Sequence, residues 1–148
     1  KNSLSLAQLL GHVVGLYKDR CEKEGISLEF SRSADIELLG DDMHLKRLFM
    51  NLMDNAVKFT DRGGRIKVDC SVREGRAIVC ISDTGIGIDP ETLKHIGRRF
   101  FRSDQARSRE GAGLGLSIVH AICEAHKASI RIESQVGQGT SVSVSFSI

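Results

Sequence analysis

Three stretches of the chain carry apolar residues at three- and four-residue steps, and the segments between them alternate apolar with polar. Leu6, Leu9, Leu10, Val13, Val14, Leu16 and Tyr17 predict a first helix that runs to about Lys23 and closes at Gly25. The second spans Asp42 to Thr60, with Asp41 or Asp42 as N-cap and the turn Asp61-Arg62-Gly63-Gly64 as its end. Leu45, Leu48, Phe49, Leu52, Ala56 and Phe59 form its apolar stripe, and Asn51, Asn55 and Lys58, at i, i+4 and i+7, form a polar stripe beside it. The third runs from about Gly113 to Lys127. Ser117, His120, Glu124 and Lys127 make its polar face, while Leu116, Ile118, Val119, Ile122 and Cys123 occupy most of the remainder.

Strands are predicted at 3–6, Ile26–Phe30, Ile36–Leu39, Arg65–Val72, Ala77–Ser82, Ser129–Glu133 and Thr140–Phe146. In Arg65–Val72, Ile66, Val68, Cys70 and Val72 share one side, and Glu74-Gly75 makes a hairpin turn. Ala77–Ser82 is almost continuously apolar, which suits a central strand. Pro90, with Asp89 as N-cap, opens a further helical start. The order predicts an α/β (α+β) sandwich of two layers: a mixed sheet of about five strands with three helices on one face.

A length of 148 residues, 41% of them hydrophobic, suits one domain with a core of its own. Six Phe, one Tyr and no Trp make that core mostly aliphatic. A net charge of +2 gives no case for nucleic acid, although basic and aromatic residues interleave at Arg98, Arg99, Phe100, Phe101 and Arg102. No apolar run approaches membrane-spanning length and no signal peptide opens the chain, so no direct membrane contact is expected. Lys1 is not a natural start, and the chain is expected to be a piece of a longer protein. Cys21, Cys70, Cys80 and Cys123 form no Cys-x-x-Cys pair and lie among apolar neighbours, as buried free thiols of a cytoplasmic protein would. The five histidines are equally scattered, so no zinc site is expected.

Three glycine clusters change the picture. Asp83-Thr84-Gly85-Ile86-Gly87-Ile88 follows the central strand, Gly111-Ala112-Gly113-Leu114-Gly115-Leu116-Ser117 opens the third helix, and Gly137-Gln138-Gly139-Thr140 opens the last strand. None has the Gly-Lys-Ser/Thr ending of a Walker loop. The dinucleotide fingerprint also fails, because its third glycine would fall on Pro90 or Leu116. The capacity to hold a nucleotide is nonetheless present. Glycines at a helix N-terminus let main-chain N–H groups approach anionic oxygens. A carboxylate at a strand end can accept from an exocyclic amine. Two amides can offer carbonyl oxygens to a hard cation, and a lysine one turn on can neutralise phosphate. Singly each cluster reads as a turn and the Asn/Asn/Lys stripe as a solvated face; jointly they read as a site.

In this combination the chain resembles the catalytic, ATP-binding domain of two-component sensor histidine kinases, which shares the Bergerat ATP-binding fold with type II topoisomerases, a heat-shock chaperone and mismatch-repair ATPases. The resemblance rests on Asn51–Thr60, on Asp83-x-Gly85-x-Gly87, on Gly113-Leu114-Gly115-Leu116-Ser117-Ile118-Val119 and on Gly137-x-Gly139-Thr140, in that order over nearly the whole chain. It implies Asn55 as the Mg2+ ligand, Asn51 supporting metal or phosphates, Lys58 pairing with phosphates and Phe59 packing on adenine. It implies Asp83 and Thr140 at the adenine edge, room for the base at Gly85 and Gly87, Ile88 among the nucleotide contacts, and phosphate contacts from the backbone of Gly113, Leu114, Gly115 and Leu116. Residues 94–112 would be a mobile lid, with Arg102, and Arg107 as a second candidate, reaching the γ-phosphate.

The resemblance also bears on the reaction. The superfamily's hydrolases carry a glutamate four residues before the metal asparagine; here that position is Asn51, and an amide is no general base near neutral pH. Transfer to an external acceptor is therefore implied. None of the five histidines has the acid and proline of the family's acceptor. The implied partners are ATP, an acceptor-histidine domain of the same protein, dimeric at full length, and a response regulator. Two positions depart from the family: Gly97 stands where the lid's first Phe belongs, and Lys127-Ala128 follows His126 where glycine is usual. The alternative is a nucleotide-binding regulatory module of degenerate or anti-sigma type, a protein serine kinase.

Overall fold

The structure, a computed structural model, describes residues 2–32, 35–91 and 112–148, with 112–116 given by backbone alone. Strand β1 (Asn2–Ser5) leads into helix α1 (Leu6–Lys23). Ser5 caps that helix: its Oγ accepts from the N–H of Gln8 at 3.2 Å and donates to Oδ1 of Asp35 at 2.6 Å. Gly25, at φ +70, then turns the chain into β2 (Ser27–Arg32). After β3 (Glu37–Gly40) come α2 (Asp42–Lys58), β4 (Arg65–Arg73) and β5 (Arg76–Asp83), and later α3 (Ala112–Ala125), β6 (Ser129–Gln135) and β7 (Gly139–Ser147).

The main sheet has the order β2-β4-β5-β7-β6. The pair β2 and β4 is parallel and the other neighbours are antiparallel, so the sheet is mixed as the pattern predicts. Its middle strand is β5, in keeping with that strand's almost unbroken apolar run. Strand β3 stays out of it and pairs with β1 in a separate two-stranded sheet. Between β4 and β5, Glu74 and Gly75 both take positive φ, 53 and 74, the geometry of a two-residue hairpin turn that matches strand twist.

The three helices and one face of the five-stranded sheet share a continuous core. From the sheet come Ile66, Val68 and Cys70 of β4, Ala77, Val79 and Ile81 of β5, and Val144 and Phe146 of β7. From α2 come Leu45, Leu48, Phe49, Leu52, Met53, Ala56 and Val57, with the ring of Phe49 edge-on to Phe146 at 6.3 Å. The period-2 and period-3.6 patterns therefore meet across one interface, as a two-layer sandwich requires.

Three expectations are corrected. Leu16 is 53% exposed, because Leu9, Leu10, Val13, Val14 and Tyr17 define the buried face of α1 and Leu16 lies off it. Val72 is 47% exposed, because β4 runs past the core into its hairpin. Helix α3 stops at Ala125 rather than Lys127, and Lys127 itself is left-handed at φ 53. The predicted N-cap alternative resolves to Asp41, whose Oδ1 accepts from the N–H of His44 at 3.0 Å. Cys21, Cys70 and Cys123 are buried free thiols as expected, while Cys80, on the open face of β5, is only half-buried.

Candidate functional site

Helix α2 presents the predicted polar stripe at the border of the core. Asn51 and Asn55 are half-buried, Lys58 is exposed, and Phe59, the C-cap residue, is half-buried. The stripe borders the core because Leu52 and Ala56, each one residue further on, are driven inward. Phe59 ends the helix with its N–H on the carbonyl of Asn55 at 3.1 Å, and Thr60 Oγ1 donates to the carbonyl of Ala56 at 2.6 Å. The Nζ of Lys58 lies 5.7 Å from the centroid of the Phe59 ring, so the cation and the aromatic face sit side by side.

The loop after β5 is tied to this helix end. The N–H of Ile86 donates to the carbonyl of Phe59 at 3.0 Å, and a side chain at Gly85 would collide with that same carbonyl. Gly87, at φ +77, is pressed against the carbonyl of Gln135. Gly139, at φ +123, lies against the carbonyl of Asp83. Gly85 and Gly87 thus allow main chain to meet main chain within the protein, a reason for glycine independent of any room for a base.

Asp83 closes the arrangement. Its Oδ1 accepts from the N–H of Gly85 at 2.8 Å and from the N–H of Thr140 at 3.2 Å. Burial pushes this carboxyl up from its ordinary pKa, and the two N–H bonds, which favour the charged form, offset only part of that. One residue of β5 therefore gathers the first glycine cluster and the start of β7. Thr140 stands opposite Asp83 in the β5–β7 register.

Two further residues, missed in the sequence, hold the loop. Thr84 accepts from the N–H of Arg65 through Oγ1 at 2.9 Å and donates its own N–H to the Arg65 carbonyl at 3.0 Å. Ser134 Oγ accepts from the N–H of Ile88 at 2.7 Å and lies 2.8 Å from Oγ1 of Thr140. A signal for Ser134 did exist. Pairing the β6–β7 hairpin over its short turn sets Ser134 opposite Thr140.

The second glycine cluster lies on the first turns of α3, where Gly113, Leu114, Gly115 and Leu116 contribute backbone. That helix packs on α2 through Val119, Ile122 and Cys123, which join the core formed by Leu48 and Leu52. Arg102, Arg107, Gly97 and all but the last residue of the lid expected at 94–112 lie outside the described residues, and that last residue, Ala112, opens α3.

The donor set fits a nucleotide with a hard cation. Half-buried amide oxygens suit Mg2+, which binds through few protein oxygens and keeps water and phosphate as its other ligands. Nδ2 of Asn51 is buried and has no hydrogen-bond partner; among the described residues His120 Nε2, on α3, is the other such atom. A buried amide donor is costly to leave unpaired, and an anionic oxygen would satisfy it.

Comparison with known proteins places these residues in context. Residues 40–148 match the family model described as histidine kinase-, DNA gyrase B- and HSP90-like ATPase. The histidine protein kinase DivJ of Caulobacter vibrioides is 41% identical over 111 residues, 74% of this chain and 19% of that protein. The chain thus spans about a fifth of that relative's length. The solved catalytic domain of histidine kinase ThkA superposes with a TM-score of 0.83 at 24% identity over 99% of this chain and 95% of that one, a likeness of fold. Full-length ShkA in complex with AMPPNP superposes with a TM-score of 0.83 at 28% identity over 98% of this chain and 30% of that one.

Proposed function

The chain belongs to the histidine kinase-, DNA gyrase B- and HSP90-like ATPase family, and we propose that it binds ATP with Mg2+ and donates the γ-phosphoryl group to a histidine on a separate dimerisation domain of the full-length protein, for relay to a response-regulator aspartate. The observation behind this reading is the convergence on Asp83. Its Oδ1 holds the N–H groups of Gly85 and Thr140, beside the α2 end that bears Phe59. The complex of ShkA with AMPPNP, an ATP analogue, supports a nucleotide on the same fold.

Each residue then has a task. The Asp83 carboxylate accepts from the exocyclic amine of adenine, and Thr140 completes that edge. Phe59 covers a face of the base. The main chain of residues 113–116 and the ammonium of Lys58 bind the phosphates. Asn55, supported by Asn51, would hold Mg2+, which when bound neutralises the β- and γ-phosphate oxygens. The bond from the γ-phosphorus to the β–γ bridging oxygen breaks, a bond to the acceptor imidazole nitrogen forms, and ADP leaves. Asn51 cannot draw a proton from water, so transfer is favoured over hydrolysis. Arg102 is proposed to meet the γ-phosphate. We read residues 1–148 as one ATP-binding unit of a cytoplasmic, dimeric kinase, an assignment in keeping with four free cysteines. Among the described residues no helix is long and apolar enough to cross a membrane.

Calorimetry with ADP and an ATP analogue, with and without Mg2+, tests the reading. Asn55→Ala should weaken Mg2+-dependent binding about tenfold or more and flatten the response to Mg2+. Unchanged affinity and unchanged Mg2+ dependence defeat the metal role. Incubated alone with labelled ATP, the chain should gain no stable phosphohistidine.

A further inference from the structure

Strand β6 is an outer strand of the main sheet, and it is regular along its whole length. Seven consecutive residues, from Ser129 opposite Ser145 to Gln135 opposite Gly139, pair with β7 without a bulge. Among the described residues no strand lies along its other side. An outer strand presents a row of main-chain N–H and C=O groups that a further strand can pair, and natural edges are commonly blunted by proline, by a bulge or by charged side chains, lysine above all. Strand β6 has neither proline nor bulge, and its two charged residues have opposite signs. Arg131 and Glu133 stand two apart on the face of the sheet away from the helices, both exposed, with Nε of Arg131 3.7 Å from Oε1 of Glu133. Ile130 and Ile132 lie on the other face, half-buried, Ile130 against the core.

From this pattern we infer that the outer edge of β6 is an interface for a second copy of this chain, paired antiparallel across a two-fold axis at Ile132. In such a pair Arg131 meets Glu133 of the second copy, Glu133 meets Arg131 of the second copy, Ile130 meets Ser134 and Ile132 meets its own counterpart. Both charges find opposites at once. With the Arg131–Glu133 pair inside each copy they form a ring of four alternating charges. Moving the axis by one residue sets Arg131 on Arg131 or Glu133 on Glu133, so the charges also fix the register. The two Ile132 side chains continue the half-buried apolar row across the joint. The other outer strand, β2, offers no such register: its charged residues, Glu29 and Arg32, are three apart and face opposite sides of the sheet. The interface uses no residue assigned to nucleotide or phosphoryl chemistry and goes beyond the proposed function, in which dimerisation belongs to another domain. A strand edge buries little area, so separate chains pair weakly, with a Kd of about micromolar to millimolar, and the pairing strengthens where two copies are held close, as in a dimeric kinase.

Sedimentation equilibrium of the 148-residue chain over a concentration series tests the interface. The parent should pass from monomer towards dimer by about 1 mM. Arg131→Glu and Glu133→Arg should each weaken that association about tenfold or more, because each sets like charges opposite one another twice. An equimolar mixture of the two variants should form a dimer that neither forms alone. The double variant Arg131→Glu/Glu133→Arg should regain the parent's affinity, since the ring of charges is rebuilt in reverse. Amide hydrogen exchange along β6 should slow as the parent dimerises. Both side chains are exposed, so folding should survive each inversion, and thermal melts check it. A parent that stays monomeric over the whole series overturns the inference. So does a dimer that the single inversions leave intact, one that neither the mixture nor the double variant restores, or protection that arises elsewhere than along β6.

Discussion

The main-chain N–H of Asp41 donates to Nε2 of His126 at 3.0 Å, joining the N-cap of α2 to the turn after α3 across 85 positions of sequence. The other ring nitrogen, Nδ1, lies 2.9 Å from the carbonyl of Ile122. A carbonyl only accepts and an N–H only donates, so the proton sits on Nδ1 and the imidazole is neutral in this arrangement. The ring also packs on Gly40, where a Cβ would stand 3.2 Å from its Cδ2 and 2.8 Å from Leu45 Cδ1. The helix bearing Asn51 and Asn55 and the helix that opens with Gly113 and Gly115 are thereby fixed to each other. His126→Ala should cost about 1–3 kcal/mol, the penalty for unpaired, partly buried backbone groups. Urea denaturation measures it, and a loss below about 0.5 kcal/mol would show the link to be incidental.

Gly139 and Gly137 should respond differently to the same change. Both have positive φ, 123 and 82, but a Cβ at Gly139 would strike the Asp83 carbonyl, whereas one at Gly137 meets nothing within 4 Å. Gly137→Ala should cost about 1 kcal/mol from backbone strain alone. Gly139→Ala should cost clearly more, and it should also weaken nucleotide binding by displacing Thr140 from Asp83. Paired chemical denaturation and calorimetry decide the matter; equal costs at the two sites would contradict the close approach.

Lys127 occupies a left-handed position, φ 53, which glycine would adopt without a Cβ penalty. The Ala128 N–H reaches the Cys123 carbonyl at 2.8 Å and the His126 N–H reaches Ile122 at 3.1 Å, so the chain closes α3 by the usual left-handed route despite the side chain. Lys127→Gly should therefore stabilise the fold by about 0.5–1 kcal/mol, part of the strain relief being offset by a freer unfolded chain. A lower melting temperature for the variant would mean that the lysine has a compensating contact.

Asp83 sets stability against binding. Its folded pKa is raised by burial, so its contribution to stability is full below its unfolded pKa and lost as pH rises through the folded value. Asp83→Asn should accordingly be more stable than the parent near pH 7, with the gap closing as pH falls into the ordinary carboxylate range, near about 4. Nucleotide affinity should fall in the same variant. Melting curves across pH give the sign, and a stability gap independent of pH would refute it.

Much of this molecule was legible in local pattern. The apolar stripe of α2 and the alternation of β4 and β5 determined which faces turn inward, because burial follows the period of each element. The four motifs determined the family and, through Asn51 in place of a glutamate, the expected direction of the chemistry. Residue type and spacing within one element are enough for such conclusions.

The tertiary structure decided what links distant elements. Nothing local distinguished Asp41 from Asp42 as N-cap, kept β3 out of the main sheet with β1, or marked Ser134 as the partner of Ile88. Nor did any local pattern show that Gly85, Gly87 and Gly139 serve contacts of main chain with main chain. These depend on which carbonyl or N–H the closed chain brings within about 3 Å, a condition set by packing and strand register rather than by periodicity. The sequence determined that an Asn/Asn/Lys stripe and three glycine turns exist; only the fold decided that Asp83 draws two of those turns together beside the end of that stripe.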